Sequence, residues 1–381
     1  MIKTKVSIVK ANEYNCAHIC GALEKSLGLI GGLEEIVKPD SRVFVKINHL
    51  PPASPPERGI VTHPIFVEAV LELLKKITGN IIVGDDIESE GEDGFMISGF
   101  RQMCNRAGIK LINLKEEGFV EMPCNGHYLN KVYLSRVAVE SNIIINLPKL
   151  KTHSLTVFTG GVKNMYGTIP ASFRTKFHGE YPRIEDFTGV ITDIYSAIKP
   201  QLTIMDGIMA MEGEGPASGN MRELGVILAS TDAVAVDTVA TKIIGLEPGN
   251  IYTTRYSNER GLGAGDFEKI EIVGESVDTV AVSDFKHPAG VSGVILRRVP
   301  KFISQWAVSQ FSSRPRVIES KCTLCGDCQK ICPVEAITIG GKMAIINYDK
   351  CIRCMCCHEV CRFDSIVPRF SLLGRILKSF S

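Results

Sequence analysis

Cysteines are the residues of this chain whose spacing most directly predicts chemistry. Nine of the thirteen lie between Cys322 and Cys361. Two runs share one spacing, Cys-x2-Cys-x2-Cys-x3-Cys: the first is Cys322, Cys325, Cys328 and Cys332, followed by Pro333, and the second is Cys351, Cys354, Cys357 and Cys361. Such a density would indicate disulfides in a small secreted domain, but this spacing is typical of thiolates that hold two [4Fe–4S] clusters.

Cluster geometry predicts how the two runs share their ligands. Three thiolates on one tight loop cap three irons of a cubane, and the fourth must approach from the opposite side, which the other run supplies. We therefore expect Cys322, Cys325, Cys328 and Cys361 to hold one cluster, and Cys332, Cys351, Cys354 and Cys357 to hold the other. The segment from about residue 316 to 368 resembles bacterial 2[4Fe–4S] ferredoxins, with Arg362 where a second proline is common.

Two other interpretations of the cysteines are less favoured. Paired Cys-x2-Cys elements also hold zinc, but zinc ribbons lack the third and fourth cysteines at these spacings. Clusters that only staple the fold are a weaker interpretation, because one metal would suffice. Cys356 lies between ligands but off the spacing, so we interpret it as a bystander.

The remainder of the chain predicts an α/β fold, a mostly parallel sheet with helices on both faces, plus a small C-terminal α+β ferredoxin-like module. Helical periodicity separates the predicted strands, for example at Ile65–Ile77 and Asp232–Ile244. The strands are predicted at Lys5–Val9, Arg42–Ile47, Asn80–Gly84, Ile109–Leu114, Asn142–Leu147, Leu202–Met205, Leu224–Ala229 and Ile270–Val273. The chain is therefore predicted to have four regions: an α/β domain at 1–285, a linker or docking segment at 286–315, the ferredoxin-like module at 316–368 and an amphipathic tail at 369–381. Within the linker, a helix is predicted at Val299–Gln310.

Composition and charge narrow the cellular setting. The net charge is +1 and no basic run stands out, which argues against nucleic acid as a partner. The N-terminus lacks the apolar core of a secretory signal, and no stretch reaches the roughly 20 apolar residues that cross a bilayer, so we expect a cytoplasmic protein. The tail at Phe370–Ser381 has one apolar helical face, and docking onto protein is favoured over contact with a membrane surface.

A loop rich in lysine and glycine follows the strand predicted at Asn142–Leu147. Ligands of parallel sheets sit outside the carboxyl ends of the strands, where such a loop would lie. Glycine lets backbone N–H groups approach an anion, and ammonium groups neutralise it. The predicted cofactor-binding residues are therefore Lys149, Gly160, Gly161, Lys163, Asn164 and, from a nearby acidic stretch, Glu214.

Candidate proton donors and acceptors lie in the same loops. Lys151, His153 and Asp206 are the predicted catalytic residues, because each carries a titratable group near the expected anion. His49, Asp85 and Asp86 also follow predicted strands. Asp85, Asp86, Asp206 and Glu214 would suit a divalent cation or a ribose, although no metal-ligand spacing supports the cation.

Several motifs in order resemble the DUF362 domain over about residues 3 to 275. They are Asn146-Leu-Pro-Lys-Leu-Lys-Thr-His153, Gly161-Val-Lys-Asn-Met-Tyr-Gly167, Met205-Asp-Gly207 with Glu212-Gly-Glu-Gly-Pro216, and Ser230-Thr-Asp-Ala-Val-Ala-Val-Asp237. The resemblance implies an iron–sulfur protein, because a fused ferredoxin module is a common companion in that family. It implies no particular reaction.

The expected function is an iron–sulfur oxidoreductase that passes low-potential electrons to a ligand in the α/β domain. A [4Fe–4S] cluster passes one electron at a time, so we hypothesise FMN or a deazaflavin as the two-electron partner, with its phosphate on the Gly160–Lys163 loop. A redox partner protein or a ferredoxin pool would supply the electrons. The alternatives are a non-catalytic electron-transfer or assembly subunit of a larger redox complex, and a ligase or transferase acting on a phosphorylated substrate with the clusters as sensors.

The cysteine assignment predicts the metal content of the protein. Anaerobically prepared material should contain about eight iron and eight sulfide per chain. It should be brown and give a paramagnetic signal on reduction. Metal analysis that finds zinc in place of iron would contradict the assignment.

Overall fold

The computed structural model describes residues 3–87, 93–288 and 313–369. The predicted helix at Val299–Gln310 and the tail at Phe370–Ser381 lie outside the described residues. Among the described helices, none is long and apolar enough to cross a membrane.

A ten-stranded mixed sheet forms the large domain. Its strands are β1 Thr4–Lys10, β2 Val43–Ile47, β3 Ile81–Asp85, β4 Lys110–Asn113, β7 Ile143–Leu147, β8 Lys149–His153, β9 Val157–Thr159, β10 Leu202–Glu212, β11 Asn220–Ser230 and β12 Ile270–Gly274. Their order across the sheet is β12-β1-β11-β10-β7-β2-β3-β4, with β8 paired to β10 and β9 paired to β8. A separate hairpin joins β5 Phe119–Pro123 to β6 Lys131–Ser135. Parallel pairs predominate, and β11 is antiparallel to both of its neighbours.

Helices cover both faces of this sheet. They are α1 Cys16–Leu29, α2 Pro64–Lys75, α3 Gly94–Ile97, α4 Phe100–Ala107, α5 Leu114–Glu117, α6 Arg136–Glu140, α7 Gly161–Asn164, α8 Ala171–Glu180, α9 Ile184–Ala197, α10 Ala233–Ile243, α11 Tyr252–Glu259 and α12 Val277–Val280. Side chains of β2 alternate between the faces, as expected for a strand. Val43, Val45 and Ile47 join the core under α1 and α2, whereas Phe44 joins the core under α9.

The predicted architecture is therefore confirmed, including all eight predicted strands and the helices at Ile65–Ile77 and Asp232–Ile244. Asp232 caps α10 by accepting hydrogen bonds from the amides of Val234 and Ala235. The prediction was wrong where it placed loops. Residues 149–153 form β8, and Asp206 and Glu212 lie within β10.

The C-terminal module is built from two short antiparallel pairs and two short helices. The elements are β13 Arg314–Val317, α13 Asp327–Lys330, β14 Ile337–Gly340, β15 Met343–Ile346, α14 Cys356–Glu359 and β16 Ile366–Arg369. β13 pairs with β16, and β14 forms a hairpin with β15 around Gly340 and Gly341.

Hydrogen bonds join the module to the large domain. Ser218 Oγ donates to Asp364 Oδ1 over 2.8 Å, and Arg58 lies 3.3 Å from the other oxygen of that carboxylate. His358, which is buried on α14, places Nε2 3.2 Å from the carbonyl oxygen of Glu214. These contacts fix α14 against the carboxyl-end loops of the large sheet.

Asp237 on α10 should be the residue whose loss most disturbs this edge of the sheet. It is buried and accepts hydrogen bonds from the amides of Gly161 and Val162, the first residues of α7. We expect Asp237→Ala to lower the free energy of unfolding by about 2–4 kcal/mol, because two buried amides lose their acceptor. Urea denaturation measures this, and the exposed Asp278→Ala should cost under about 0.5 kcal/mol. Equal stability of the two variants would contradict the assignment.

Candidate functional site

Two cavities in the C-terminal module are each lined by one of the predicted cysteine groups. Cys322, Cys325, Cys328 and Cys361 line the first, of about 10 Å³. Cys332, Cys351, Cys354 and Cys357 line the second, of about 20 Å³, together with the off-spacing Cys356. The cross-assignment of the fourth cysteine therefore agrees with the grouping in space. The donor set, four thiols around each cavity, suits a [4Fe–4S] cluster.

Backbone conformation repeats between the two halves of the module. Three pairs of residues with positive φ lie 29 positions apart: Leu324 with Arg353, Gly326 with Met355, and Glu335 with Asp364. The cysteines of the two runs show the same offset. Gly326, at φ 87°, adopts the left-handed conformation that its place beside Cys325 predicts, and Met355 adopts it without that freedom. The two loops thus wrap their cavities in the same way.

The zinc alternative needs a different arrangement of ligands. A structural zinc ion draws four side chains onto one point. The cysteines here form two groups of four around two separate cavities, an arrangement that suits the larger cubane.

A third cavity, of about 140 Å³, lies between the carboxyl ends of the large sheet and the module. Its walls come from β2, β8, α7, α8 and α14. Among the lining residues are Lys46, Asn48, His49, Asp85, Lys151, Lys163, Asn164, Tyr166, Gly167, Arg174, His178, Ile331, Cys356, Glu359 and Val360. We call it the anion cavity, because four of these side chains are cationic and two are carboxylates.

Two of the four cations are paired with carboxylates. Lys46 Nζ lies 2.8 Å from Asp85 Oδ2, and Arg174 lies 2.9 Å from Asp86 Oδ2. Gly167 packs on the first pair, where a Cβ would stand 2.8 Å from Lys46 Nζ. Asp85 and Asp86 are thus engaged by basic side chains, and a cation or ribose at these aspartates stays a prediction.

The other two cations, Lys151 and Lys163, have no carboxylate partner within 4 Å in the described part of the chain. Lys151 is buried and donates to the carbonyl oxygen of Ile60 over 2.6 Å. Burial, together with the charges of Lys163 and Lys149, lowers the pKa of Lys151 to about 7. Burial also lowers the pKa of Lys163, and Glu359 opposes this shift. A bound anion would compensate both charges.

Amide side chains position the floor of the cavity. Asn146 Nδ2 donates to the carbonyl of Gly161 over 2.9 Å, Asn164 Nδ2 donates to Asn146 Oδ1 over 2.8 Å, and Asn48 Nδ2 donates to Asn164 Oδ1 over 3.2 Å. The carbonyl at one end fixes the direction of the whole chain of amides. The predicted Asn164 therefore lines the cavity as a link between β7, α7 and the loop after β2.

His153 lies under the cavity beside the module. Its Nδ1 accepts from the amides of Leu155 and Thr156, so the proton of the neutral ring is on Nε2. Nε2 stands 3.4 Å from Glu359 Oε1 on α14, outside hydrogen-bonding geometry. Burial lowers the pKa of His153 well below its usual value and raises that of Glu359. A carboxyl group of the module thus faces the basic cluster of the large domain.

Lys149 and Asp206 lie outside the anion cavity. Lys149 Nζ is 2.9 Å from Asp206 Oδ2 and donates to the hydroxyl of Tyr14 over 2.5 Å. Tyr14 donates to Asp206 Oδ1 over 2.9 Å and stacks on His63 with ring centroids 3.7 Å apart. The pair is buried and its charges satisfy each other, whereas the predicted roles of Lys149 in cofactor binding and of Asp206 in catalysis stay predictions.

Gly160, Gly161 and Glu214 also have other partners than the predicted anion. The amide of Gly161 donates to Asp237, so it is not available to a phosphate. A Cβ on Gly160 would overlap the same carboxylate, which explains this glycine by packing. Glu214 accepts from Ser154 Oγ over 3.1 Å and offers its carbonyl to His358, so it joins the domains.

Sequence reasoning missed several residues that line the cavity. Lys46 lies within β2, where the surrounding apolar residues indicate a buried strand and not a site. Arg174 and His178 lie on α8, whose sequence has little amphipathic pattern to predict a helix. Glu359 was missed because it belongs to the cysteine module, which only folding brings to the large domain. His49 was noticed for its place after a strand, and burial lowers its pKa to about 4.

Fold and site together define an iron–sulfur α/β protein with a cysteine module packed over a basic cavity. The model of the "Domain of unknown function (DUF362)" matches residues 43–242, and that of the "4Fe-4S dicluster domain" matches residues 314–362. The chain belongs to the DUF362 family and carries a C-terminal 4Fe–4S dicluster domain.

Similar proteins cover the two parts differently. The "Thylakoid-associated protein sll1697" of Synechocystis is 32% identical over 264 residues, which span 69% of this chain and 81% of that protein. The "Ferredoxin" of Rickettsia felis is 39% identical over 54 residues, 14% of this chain and 50% of that protein. Among solved structures, the lactate racemase apoprotein of Thermoanaerobacterium thermosaccharolyticum aligns with a TM-score of 0.41 at 12% identity, over 61% of this chain and 55% of that chain.

Lys151 makes anion binding dependent on pH. With a pKa of about 7, its ammonium form is present below pH 7 and is lost above it. The affinity for sulfate, whose own charge is constant in this range, should therefore fall as pH rises through 7, by up to about tenfold per pH unit. Calorimetric titration between pH 6 and 9 measures this. The variant Lys151→Gln should bind sulfate weakly at every pH, and the control Lys199→Gln, at an exposed position, should bind it like the native protein. A native affinity for sulfate that does not depend on pH would contradict the role of Lys151.

Proposed function

We propose that this protein is an iron–sulfur oxidoreductase that exchanges electrons with a small anionic molecule held in the anion cavity. The observation that carries the proposal is the position of Cys356. This residue lines both the cavity of the second cysteine group and the anion cavity. A ligand in the anion cavity would thus be one side chain away from the second group.

When bound, the two clusters supply single electrons at low potential. Cys332, Cys351, Cys354 and Cys357 would hold the cluster nearer to the anion cavity, and the first group would hold the other. Ile331 and Cys356, each next to a cysteine of the second group, contribute to the wall of the anion cavity. This arrangement supports a function in which charge moves between the module and the ligand.

The basic side chains would bind and orient the ligand. Lys163 and Lys151 would neutralise its anionic group, since both lack carboxylate partners in the described residues. Lys151 can hold or release a proton near neutral pH, and it is the strongest candidate for the proton that accompanies reduction of a polar double bond. The α14 wall would exclude bulk water from the ligand, which strengthens these electrostatic interactions.

A flavin that carries a phosphate is one candidate for the anionic molecule in this cavity. The anion cavity has about the volume that holds a benzene-sized molecule, so the ring system and side chain of FMN do not fit inside together. A flavin or deazaflavin would have to insert its phosphate toward Lys163 and leave its rings at the mouth. The volume favours a smaller anion that accepts two electrons in succession. Anaerobic reconstitution with FMN tests the flavin, and protein that stays without flavin absorbance favours the small anion.

A non-catalytic relay or assembly subunit remains the second candidate, supported by the contacts that fix the module on the large domain. The anion cavity would then have no redox role. Measuring the reduction potentials of the clusters with and without an anion separates the two functions, because a relay predicts that an anion in the cavity leaves these potentials unchanged.

Binding of an anion should change the reduction potential of one cluster. A negative charge near the second cysteine group disfavours the extra electron, so sulfate should lower that potential by on the order of tens of millivolts. Potentiometric titration followed by electron paramagnetic resonance, with and without sulfate, measures the shift. Lys163→Gln should abolish this shift, and Lys199→Gln should retain it. If saturating sulfate leaves the reduction potentials of the native clusters unchanged, the proposal is wrong.

A further inference from the structure

Equivalent positions around the two cysteine groups differ in exposure. Cys325 is exposed, whereas Cys354, its counterpart 29 residues later, is partly buried. Leu324 is 39% exposed, and its counterpart Arg353 is partly buried. The lining of the second cavity contains no exposed residue, while Thr323, Leu324, Cys325 and Phe363 line the first cavity and are all exposed. The first group is therefore the one that an external molecule can approach.

The exposed wall of the first cavity is apolar. Leu324 and Phe363, the latter 40% exposed, lie on it directly. Ile345, 52% exposed, belongs to β15 but points away from this cavity, because it follows Ala344, which lines the cavity, and successive side chains of a strand point to opposite faces. Leu324 and Phe363 are two of the large apolar side chains that are exposed among the described residues, and adjacent exposed apolar groups are typical of a protein interaction surface.

Charge around this wall favours one kind of partner. Lys321 and Arg362 directly flank cysteines of the first group, and Lys342 follows the hairpin tip above it. The acidic residues next to this wall are Glu319, Asp327 and Asp364; Asp327 lies 3.3 Å from Arg362, and Asp364 lies 3.3 Å from Arg58 of the large domain. Over residues 313–369, nine Lys and Arg stand against six Asp and Glu. A basic rim around an apolar centre complements an acidic protein.

We propose that this port face, formed by Lys321, Leu324, Cys325, Lys342, Arg362 and Phe363, is the docking site of a small acidic electron-carrier protein. The proposal rests on the proposed function, for which it names the partner. Each encounter oxidises the carrier by one electron and reduces this protein by one, with no bond made or broken. Two encounters supply the two electrons that reduction of a cavity ligand requires, and its two protons come from the large domain and from water.

Electrostatic docking predicts a rate that depends on salt. In anaerobic stopped-flow mixing with a reduced acidic bacterial ferredoxin, the second-order rate constant for reduction of the native protein should fall about tenfold between 20 and 200 mM salt. The double variant Lys321→Glu/Lys342→Glu should react about tenfold more slowly at low salt and lose the salt dependence. Leu324→Ser with Phe363→Ser should slow the reaction at every salt concentration.

Matched controls locate the effect on the port face. Lys25→Glu/Lys199→Glu changes the net charge by the same amount on exposed residues of the large domain, and Met96→Ser removes an apolar side chain that is 48% exposed there. Both should react within twofold of the native protein. Reduction of every variant by dithionite, a small reductant that needs no docking, should stay unchanged and show that the clusters are intact.

Three outcomes would overturn the docking site: a native rate independent of salt, equal slowing by Lys25→Glu/Lys199→Glu, or a concentration-dependent dimer in sedimentation that Leu324→Ser/Phe363→Ser abolishes. The last result would assign the face to a second copy of this chain. Failure of the proposed function has a different signature. In that case the port variants slow reduction as expected, yet sulfate leaves both cluster potentials unchanged.

Discussion

The arrangement of this protein depends on cationic side chains that the fold withdraws from water without giving each a carboxylate. Removing an ammonium group from water is costly unless an opposite charge compensates it. Lys46 and Arg174 are compensated by Asp85 and Asp86. Lys151 and Lys163 are not, within the described residues, and the fold keeps them together at the carboxyl edge of the sheet. This uncompensated charge explains why the cavity is suited to an anion and why Glu359, on another domain, faces it.

The two domains share the walls of one cavity. The module contributes α14 to the wall of the anion cavity, and the large domain in turn covers the second cysteine group. Contacts through Asp364, His358 and Glu214 hold this arrangement, and none of them involves a cysteine of the two runs. The two similar cysteine loops therefore differ in their surroundings: the first group is accessible from solvent, and the second lies beside the anion cavity.

The sequence predicts some parts of this structure well because local chemistry determines them. Cysteine spacing identifies the two groups, and strand and helix periodicity locates the eight strands and α2 and α10. Lys151, Lys163 and Asn164 are found because they follow a strand at the expected edge. Lys149 and Asp206 show where this reasoning ends: the chain continues as β8 and β10, and the two side chains pair with each other. Glycines 160 and 161 show the same limit, since Asp237, remote in sequence, occupies the amides.

Residues supplied by remote segments are beyond such reasoning. Lys46 occupies an inward position of an apolar strand and is recognisable only once Asp85 is seen beside it. Arg174 and His178 come from a helix with little amphipathic pattern. Glu359 and Cys356 sit among ligand cysteines, and nothing local indicates that α14 covers another domain.

The shared wall also couples maturation of the protein to the formation of its ligand site. α14 is a single turn that carries Cys357 and is followed by Cys361, so its conformation depends on thiolates that metal binding would fix. The same turn closes the anion cavity. If the thiolates order this turn only once iron and sulfide are bound, the anion cavity gains that side at the same time as the clusters, so that one assembly event completes both sites.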